Sequence, residues 1–123
     1  MNKAFFFDTY AIIEINKGNP AYKKYAFGVK IILSKLNILE YIYFLIREKK
    51  ESQIEEAFSK LSKFNVDYDD KILLDAAKMK FKFVKEKLSF VDCIGYYIAK
   101  KYNCKFLTGD EKFKNKENVE FVK

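Results

Sequence analysis

Four acidic side chains that are far apart in the sequence each lie beside a predicted strand end or helix start. They are Asp8, Glu40, Asp92 and Asp110. Oxygen ligands without histidine or cysteine favour Mg²⁺ or Mn²⁺ over zinc. A cation of this kind activates water and stabilises negative charge on a phosphoryl oxygen. If the four carboxylates converge in space, the sequence therefore predicts metal-assisted hydrolysis of a phosphodiester.

The composition excludes several other kinds of catalysis. The chain of 123 residues contains no histidine, which removes Ser-His-Asp and Cys-His chemistry and imidazole ligation of metals. Its two cysteines, Cys93 and Cys104, are too few for a zinc site or a disulfide framework. Lysine and arginine number 24 against 17 acidic residues, which gives a net charge of +7. This surplus suits RNA, DNA or an acidic membrane surface, and it does not choose among them.

The length of the chain is typical of one domain, and we expect a single domain over residues 1–123. Lysine or glutamate interrupts the longest apolar stretches, so we expect no membrane partner. The short apolar run near the N-terminus does not match a signal peptide. We therefore expect a soluble, cytoplasmic protein with reduced thiols.

Hydrophobic patterning predicts strands that alternate with helices. Short apolar runs predict strands at residues 4–7, 28–34, 64–66, 104–107 and 119–122. Apolar stripes and capping residues predict helices at about residues 10–16, 20–27, 38–46, 54–61, 71–84 and 90–102. Residues 79–83 also fit a strand in isolation, but the preceding stripe favours a helix. The alternation indicates an α/β fold, a three-layer α/β/α sandwich with a mostly parallel, roughly five-stranded sheet.

This fold would bring the four acids to one edge of the sheet. Asp8 and Asp110 follow the first and fourth strands, while Glu40 and Asp92 lie in the first turns of helices capped by Asn37 and Ser89. The carboxyl ends of parallel strands and the helix N-termini meet at the rim where such folds bind ligands. Carboxylates gathered there would raise one another's pKa values unless a cation relieved the repulsion. Each acid also has an ordinary explanation as a cap, first-turn or turn residue, so their joint placement carries the prediction.

Four segments that contain these acids together match a known pattern. They are Phe-Phe-Phe-Asp-Thr at 5–9, Leu-Asn-Ile-Leu-Glu-Tyr at 36–41, Leu-Ser-Phe-Val-Asp-Cys-Ile-Gly-Tyr-Tyr-Ile-Ala at 88–99 and Phe-Leu-Thr-Gly-Asp-Glu-Lys-Phe at 106–113. The last two are the most specific, since a Ser-x-x-Asp helix start is followed by Thr-x-Asp-x-x-Phe. Nearly the whole chain thus resembles a PIN domain, the fold of metal-dependent ribonucleases.

The resemblance implies a function and a set of site residues. It implies an endoribonuclease dependent on Mg²⁺ or Mn²⁺, with Asp8, Glu40, Asp92 and Asp110 as the metal-binding and catalytic acids. Supporting hydroxyls would come from Thr9, Ser89 and Thr108. Family members of this length are most often the toxins of VapBC-type toxin–antitoxin modules, which implies an RNA substrate, a small antitoxin and a homodimer. Many relatives have a further Asp or Asn where this chain has Glu111, which leaves the last ligand set open.

Other functions remain open at the level of the sequence. One is a non-catalytic domain of this fold that binds RNA or a protein, and another is a housekeeping RNA-processing nuclease. An aspartyl phosphatase is excluded, because it needs a second aspartate at the position of Tyr10. The lysine-rich residues 78–87 match no motif; a solvated helix face explains them, and contact with RNA is the alternative.

Overall fold

A parallel sheet of four strands forms the centre of the computed structural model, which describes residues 3–123. The strands are β1 (Lys3–Phe7), β2 (Val29–Ile32), β3 (Lys105–Thr108) and β4 (Val119–Phe121), in the order β2-β1-β3-β4. All three strand pairs are parallel, so each connection crosses over the sheet. Their carboxyl ends consequently lie along one rim.

Within residues 3–123, five α-helices cover the two faces of the sheet. They are α1 (Thr9–Lys17), α2 (Lys35–Arg47), α3 (Ile54–Ser62), α4 (Asp70–Lys82) and α5 (Phe90–Lys101). Short 3₁₀ turns occupy Pro20–Tyr25, Glu51–Gln53, Val84–Glu86 and Glu111–Phe113. The predicted three-layer α/β/α arrangement is confirmed.

Alternate residues of β1, one of the two inner strands, enter two separate cores. Phe6 packs with α4 and α5, while Phe5 and Phe7 pack with α1, α2 and α3. All three rings are buried. A strand covered on both faces needs a continuous apolar run rather than an alternating one, which is why residues 5–7 are all phenylalanine. Gly95 lets α5 approach this strand, because a Cβ there would lie 2.6 Å from the Phe6 ring.

Two details of the predicted elements are wrong. Residues 64–66 do not join the sheet, because Asn65 makes only an isolated parallel bridge to Leu33, so the sheet has four strands rather than five. Ser34, rather than Asn37, is the N-cap of α2. The helical preference for residues 79–83 is largely correct, since α4 continues through Lys82 before a 3₁₀ turn.

None of the helices within residues 3–123 has the length and apolar character needed to cross a membrane.

Candidate active site

Asp8 occupies the junction between β1 and α1. It is the N-cap of α1, and its carboxylate accepts a hydrogen bond of 2.8 Å from the Ala11 N–H. The Asp8 side chain is 2% exposed, and this burial raises the pKa of Asp8 well above its usual range, with further contributions from Asp92 and Asp110. The Thr108 side chain at the end of β3 partly offsets the raised pKa of the Asp8 carboxyl. Asp8 is therefore both a structural cap and a buried member of the rim.

Asp92 lies in the first turn of α5, as the sequence predicts. Ser89 is the N-cap, and its hydroxyl accepts from the Asp92 N–H at 3.0 Å. Burial, followed by repulsion from Glu40 and Asp110, raises the pKa of the Asp92 carboxyl to about 6. The Ser89 hydroxyl and the positive charge of Lys112 offset part of this shift. The carboxylate thus sits where a further positive charge would stabilise it.

Glu40 reaches the rim from the second turn of α2 rather than the first. The helix begins at Lys35 after the Ser34 cap, which makes Glu40 its sixth residue. The Thr9 hydroxyl donates a hydrogen bond of 2.5 Å to the Glu40 carboxylate. Asn37 donates in turn to the Thr9 oxygen at 3.2 Å, so Thr9 links α1 to α2 and orients Glu40.

Asp110 follows β3 in a tight turn. Its N–H donates to the Thr108 hydroxyl oxygen at 3.0 Å, and its carboxylate accepts from the Lys112 N–H at 3.0 Å. Gly109 makes the turn possible, because a Cβ there would lie 2.5 Å from the backbone oxygen of Val122 and closer still to the Tyr10 ring. The turn interpretation of Asp110 is therefore correct, and the same turn directs it to the rim.

Electrostatic interactions connect the four acids across the rim. Asp8 is influenced by Asp92 and Asp110, and Asp92 by Glu40 and Asp110. No three acidic or thiol side chains within residues 3–123 are already spaced to hold one metal ion. Three of the carboxylates accept hydrogen bonds within the protein. The donors are the Ala11 N–H for Asp8, the Thr9 hydroxyl for Glu40 and the Lys112 N–H for Asp110. The donor set nevertheless fits Mg²⁺ or Mn²⁺, because it consists of carboxylate and hydroxyl oxygens around buried negative charge.

Two further residues at the rim have roles that the sequence did not reveal. Asn37 is buried, and its side-chain oxygen accepts from the Ser34 N–H and hydroxyl at 3.3 and 2.8 Å while its amide supports Thr9. Lys112 places positive charge near Asp92. Glu111, by contrast, is exposed and forms an ion pair of 2.9 Å with Lys123. Asn37 had a sequence signal only as a cap, and Lys112 had none beyond its closeness to Asp110.

The comparison with protein families agrees with this architecture. The family model described as PIN domain matches residues 5–119, and the chain belongs to this family, whose members are generally nucleases. The resemblance inferred from the sequence is confirmed. No curated protein matches this sequence closely enough to count as a relative.

Solved structures share the fold at low sequence identity. A toxin–antitoxin complex from Klebsiella pneumoniae gives a TM-score of 0.72 at 19% identity, covering 94% of both chains. VapBC2 from Rickettsia felis, bound to a DNA fragment from its promoter, gives 0.71 at 19% identity, covering 98% of this chain and 99% of that one. A Pyrobaculum aerophilum protein gives 0.69 at 16% identity, covering 98% and 92%. At these identities the similarity establishes the fold.

Proposed function

We propose that this protein is a metal-dependent endoribonuclease and the toxin of a type II toxin–antitoxin pair. The observation that carries the proposal is the set of four carboxylates, two of them with raised pKa values, at the strand-end rim of a PIN domain. Acids kept in such surroundings weaken the fold, which is typical of groups retained for function. The surplus of basic residues elsewhere is consistent with a polyanionic substrate.

Asp8, Glu40, Asp92 and Asp110 would hold Mg²⁺ or Mn²⁺ in this proposal. The bound cation supplies activation of water and stabilisation of charge on the phosphoryl oxygens. The protein's own residues keep the carboxylates in position before substrate binds. The Thr9 hydroxyl donates to the Glu40 carboxylate. The Ser89 and Thr108 hydroxyl oxygens accept from the Asp92 and Asp110 N–H groups. Such supporting hydrogen bonds orient ligands and limit the rearrangement needed on metal binding.

The proposed protein partners are a small antitoxin and a second copy of the chain. The similarity to a toxin–antitoxin complex and to VapBC2 supports an antitoxin. Leu39, Tyr43 and Ile46 also form an exposed apolar stripe along α2, with exposed fractions of 64%, 60% and 45%. A continuous stripe of this kind is typical of a surface that another protein covers.

Replacing Asp92 tests the nuclease proposal. Asp92→Asn should abolish Mn²⁺-dependent cleavage of single-stranded RNA while leaving the circular dichroism spectrum unchanged, because the amide preserves size but removes the ligand charge. Glu56→Gln is the matched control and should cleave at the wild-type rate, since Glu56 is exposed on α3, which contributes no acid to the rim. Wild-type activity in Asp92→Asn, or cleavage that persists in excess EDTA, would contradict the proposal.

A non-catalytic binding domain is the second candidate function. It is favoured by the absence, within residues 3–123, of three acidic side chains already spaced for one cation. This alternative predicts that the wild-type protein binds RNA but neither binds Mn²⁺ nor cleaves. RNA cleavage that requires both Mn²⁺ and Asp92 would eliminate it.

A further inference from the structure

A groove of about 870 Å³ opens beside α4 and α5, next to the carboxylate rim. Its walls come from these two helices, the 3₁₀ turn Val84–Glu86 and residues 111–117. Five lysines line it, namely Lys78, Lys82, Lys100, Lys112 and Lys116. Three glutamates also line it, namely Glu86, Glu111 and Glu117.

The positive charge of this groove is mostly uncompensated. Lys116 forms an ion pair of 2.6 Å with Glu86, and Glu111 is paired with Lys123. The other four lysines of the groove have no carboxylate within ion-pair distance among residues 3–123. Four unpaired ammonium groups therefore face one unpaired glutamate, Glu117. This excess attracts a flexible polyanion.

Aromatic rings lie next to several of these cations in the groove. The Lys100 ammonium lies 5.0 Å from the centre of the Tyr96 ring and 5.5 Å from that of Tyr97. The Lys116 and Lys82 ammonium groups lie 4.3 and 5.4 Å from the centre of the Phe83 ring. Phe83 and Tyr97 are only partly buried, so part of each ring remains accessible. Cations beside accessible rings suit a single strand, whose phosphates bind lysine and whose bases stack on aromatic faces.

Lys112 joins the groove to the carboxylate rim. Its N–H donates to Asp110, while its ammonium donates to the Lys87 backbone oxygen at 3.2 Å. From this junction the groove follows α5, along which Asp92 and Lys100 are separated by eight residues, or about 12 Å of helix. A strand leaving the rim therefore meets the lysines of the groove next.

We propose that this groove binds the single-stranded RNA that flanks the phosphate held at the rim. The inference rests on the proposed function, which it deepens by assigning a path to the substrate. Lys78, Lys82 and Lys100 contact backbone phosphates, and Phe83 and Tyr97 stack on bases. The lysine-rich residues 78–87 thus acquire a role that their sequence did not assign.

Binding without cleavage tests this inference separately from catalysis. The probe is a short fluorescent oligouridylate, measured by anisotropy in EDTA. The triple variant Lys78→Gln, Lys82→Gln and Lys100→Gln removes three groove charges. The matched control, Lys23→Gln, Lys50→Gln and Lys63→Gln, removes three exposed charges from the α1–α3 side of the molecule.

The groove variant should weaken RNA binding at least about 10-fold, and the slope of log affinity against log salt should fall by about 2, since each phosphate contact on a single strand contributes about 0.7. The control should change affinity less than about 3-fold, as expected for distant charges that salt screens. Phe83→Leu should weaken binding without changing the slope, because stacking releases no counterions. Melting curves of each variant check that it remains folded.

Several results would overturn the groove assignment. One is equal weakening by the groove and control variants, which would indicate a general effect of charge. Another is displacement of the RNA by polyglutamate of equal charge with the same efficiency, which would indicate a site for acidic protein segments. A third is a change in molecular mass by light scattering with unchanged RNA affinity, which would make the groove a contact between copies. Unchanged binding with normal cleavage would refute the groove alone, whereas groove-dependent binding without Mn²⁺-dependent cleavage would refute the nuclease alone.

Discussion

Asp8 and Asp92 hold their carboxylates in surroundings that favour the protonated form. Burial is the main cause for both, and repulsion among the rim acids adds to it. In the absence of a cation, ionising these groups near neutral pH therefore lowers the stability of the fold. In the proposed function, the same buried charge would favour binding of a divalent cation at the rim.

The pH dependence of stability should reveal this cost at Asp92. Its folded pKa of about 6 exceeds the unfolded value of 3.8, so its contribution is complete below the unfolded value and is lost as pH rises through 6. In EDTA at neutral pH, Asp92→Asn should be more stable than the wild type by up to about 3 kcal/mol. The gain should shrink as pH falls from about 6 to about 4 and should vanish below the unfolded value of 3.8.

Urea unfolding of the metal-free protein across this pH range measures the effect at Asp92. Glu111→Gln is the control and should show no gain, because Lys123 lowers the pKa of the exposed Glu111 carboxyl. Equal stability of Asp92→Asn and the wild type at neutral pH would contradict the interpretation.

The candidate site residues could be proposed from sequence because each acid follows a recognisable boundary. Their exact helical turns could not all be predicted. Ser34 and Asn37 are both good N-caps, and choosing between them requires knowing where β2 ends. The wrong choice put Glu40 one turn too early. The functional assignment of the four acids stays a prediction.

The turn after β3 controls the position of Asp110. Gly109 has no room for a side chain, since a Cβ at this position would lie 2.5 Å from the Val122 backbone oxygen. Thr108 and Lys112 then fix the Asp110 backbone and carboxylate by hydrogen bonds. The C-terminal strand is held against this turn by the Tyr22 hydroxyl, which donates to the Val122 oxygen.

Gly109→Ala should therefore disturb both stability and cleavage. Forcing a methyl group into this contact should destabilise the fold by about 1–3 kcal/mol. It should also reduce Mn²⁺-dependent RNA cleavage, because Asp110 would move. Gly18→Ala is the comparison: its Cβ enters open space, so its positive φ of 78° costs stability while cleavage by the folded protein is kept. Thermal melts and cleavage rates measure both effects, and full activity of Gly109→Ala would contradict this view of the turn.

Element types could be predicted more reliably than membership of the sheet. Long helical stripes identify α2, α4 and α5 because their period extends over several turns. A run as short as residues 64–66 does not reveal whether the segment pairs with an edge strand of the sheet. In the structure this run makes two backbone hydrogen bonds with Leu33. The Leu33 N–H donates to the Phe64 oxygen, and the Val66 N–H donates to the Leu33 oxygen.

Features of the whole molecule depend on segments that the sequence keeps apart. The rim draws on the ends of β1 and β3 and on α2 and α5, and its general location follows from parallel topology. The basic groove needs α4, α5 and residues 111–117 in contact, which the patterning of each segment does not reveal. The expectation of one domain over residues 1–123 stays a prediction, while membership of the PIN family is established over residues 5–119.

Calorimetric titration of Mn²⁺ into metal-free protein near neutral pH tests the central claim most directly. The wild type should bind saturably. Asp8→Asn, Glu40→Gln, Asp92→Asn and Asp110→Asn should each weaken binding by at least about 10-fold, while Glu111→Gln should bind as the wild type does. A wild-type protein that binds no Mn²⁺, or binding that survives all four substitutions unchanged, would contradict the account.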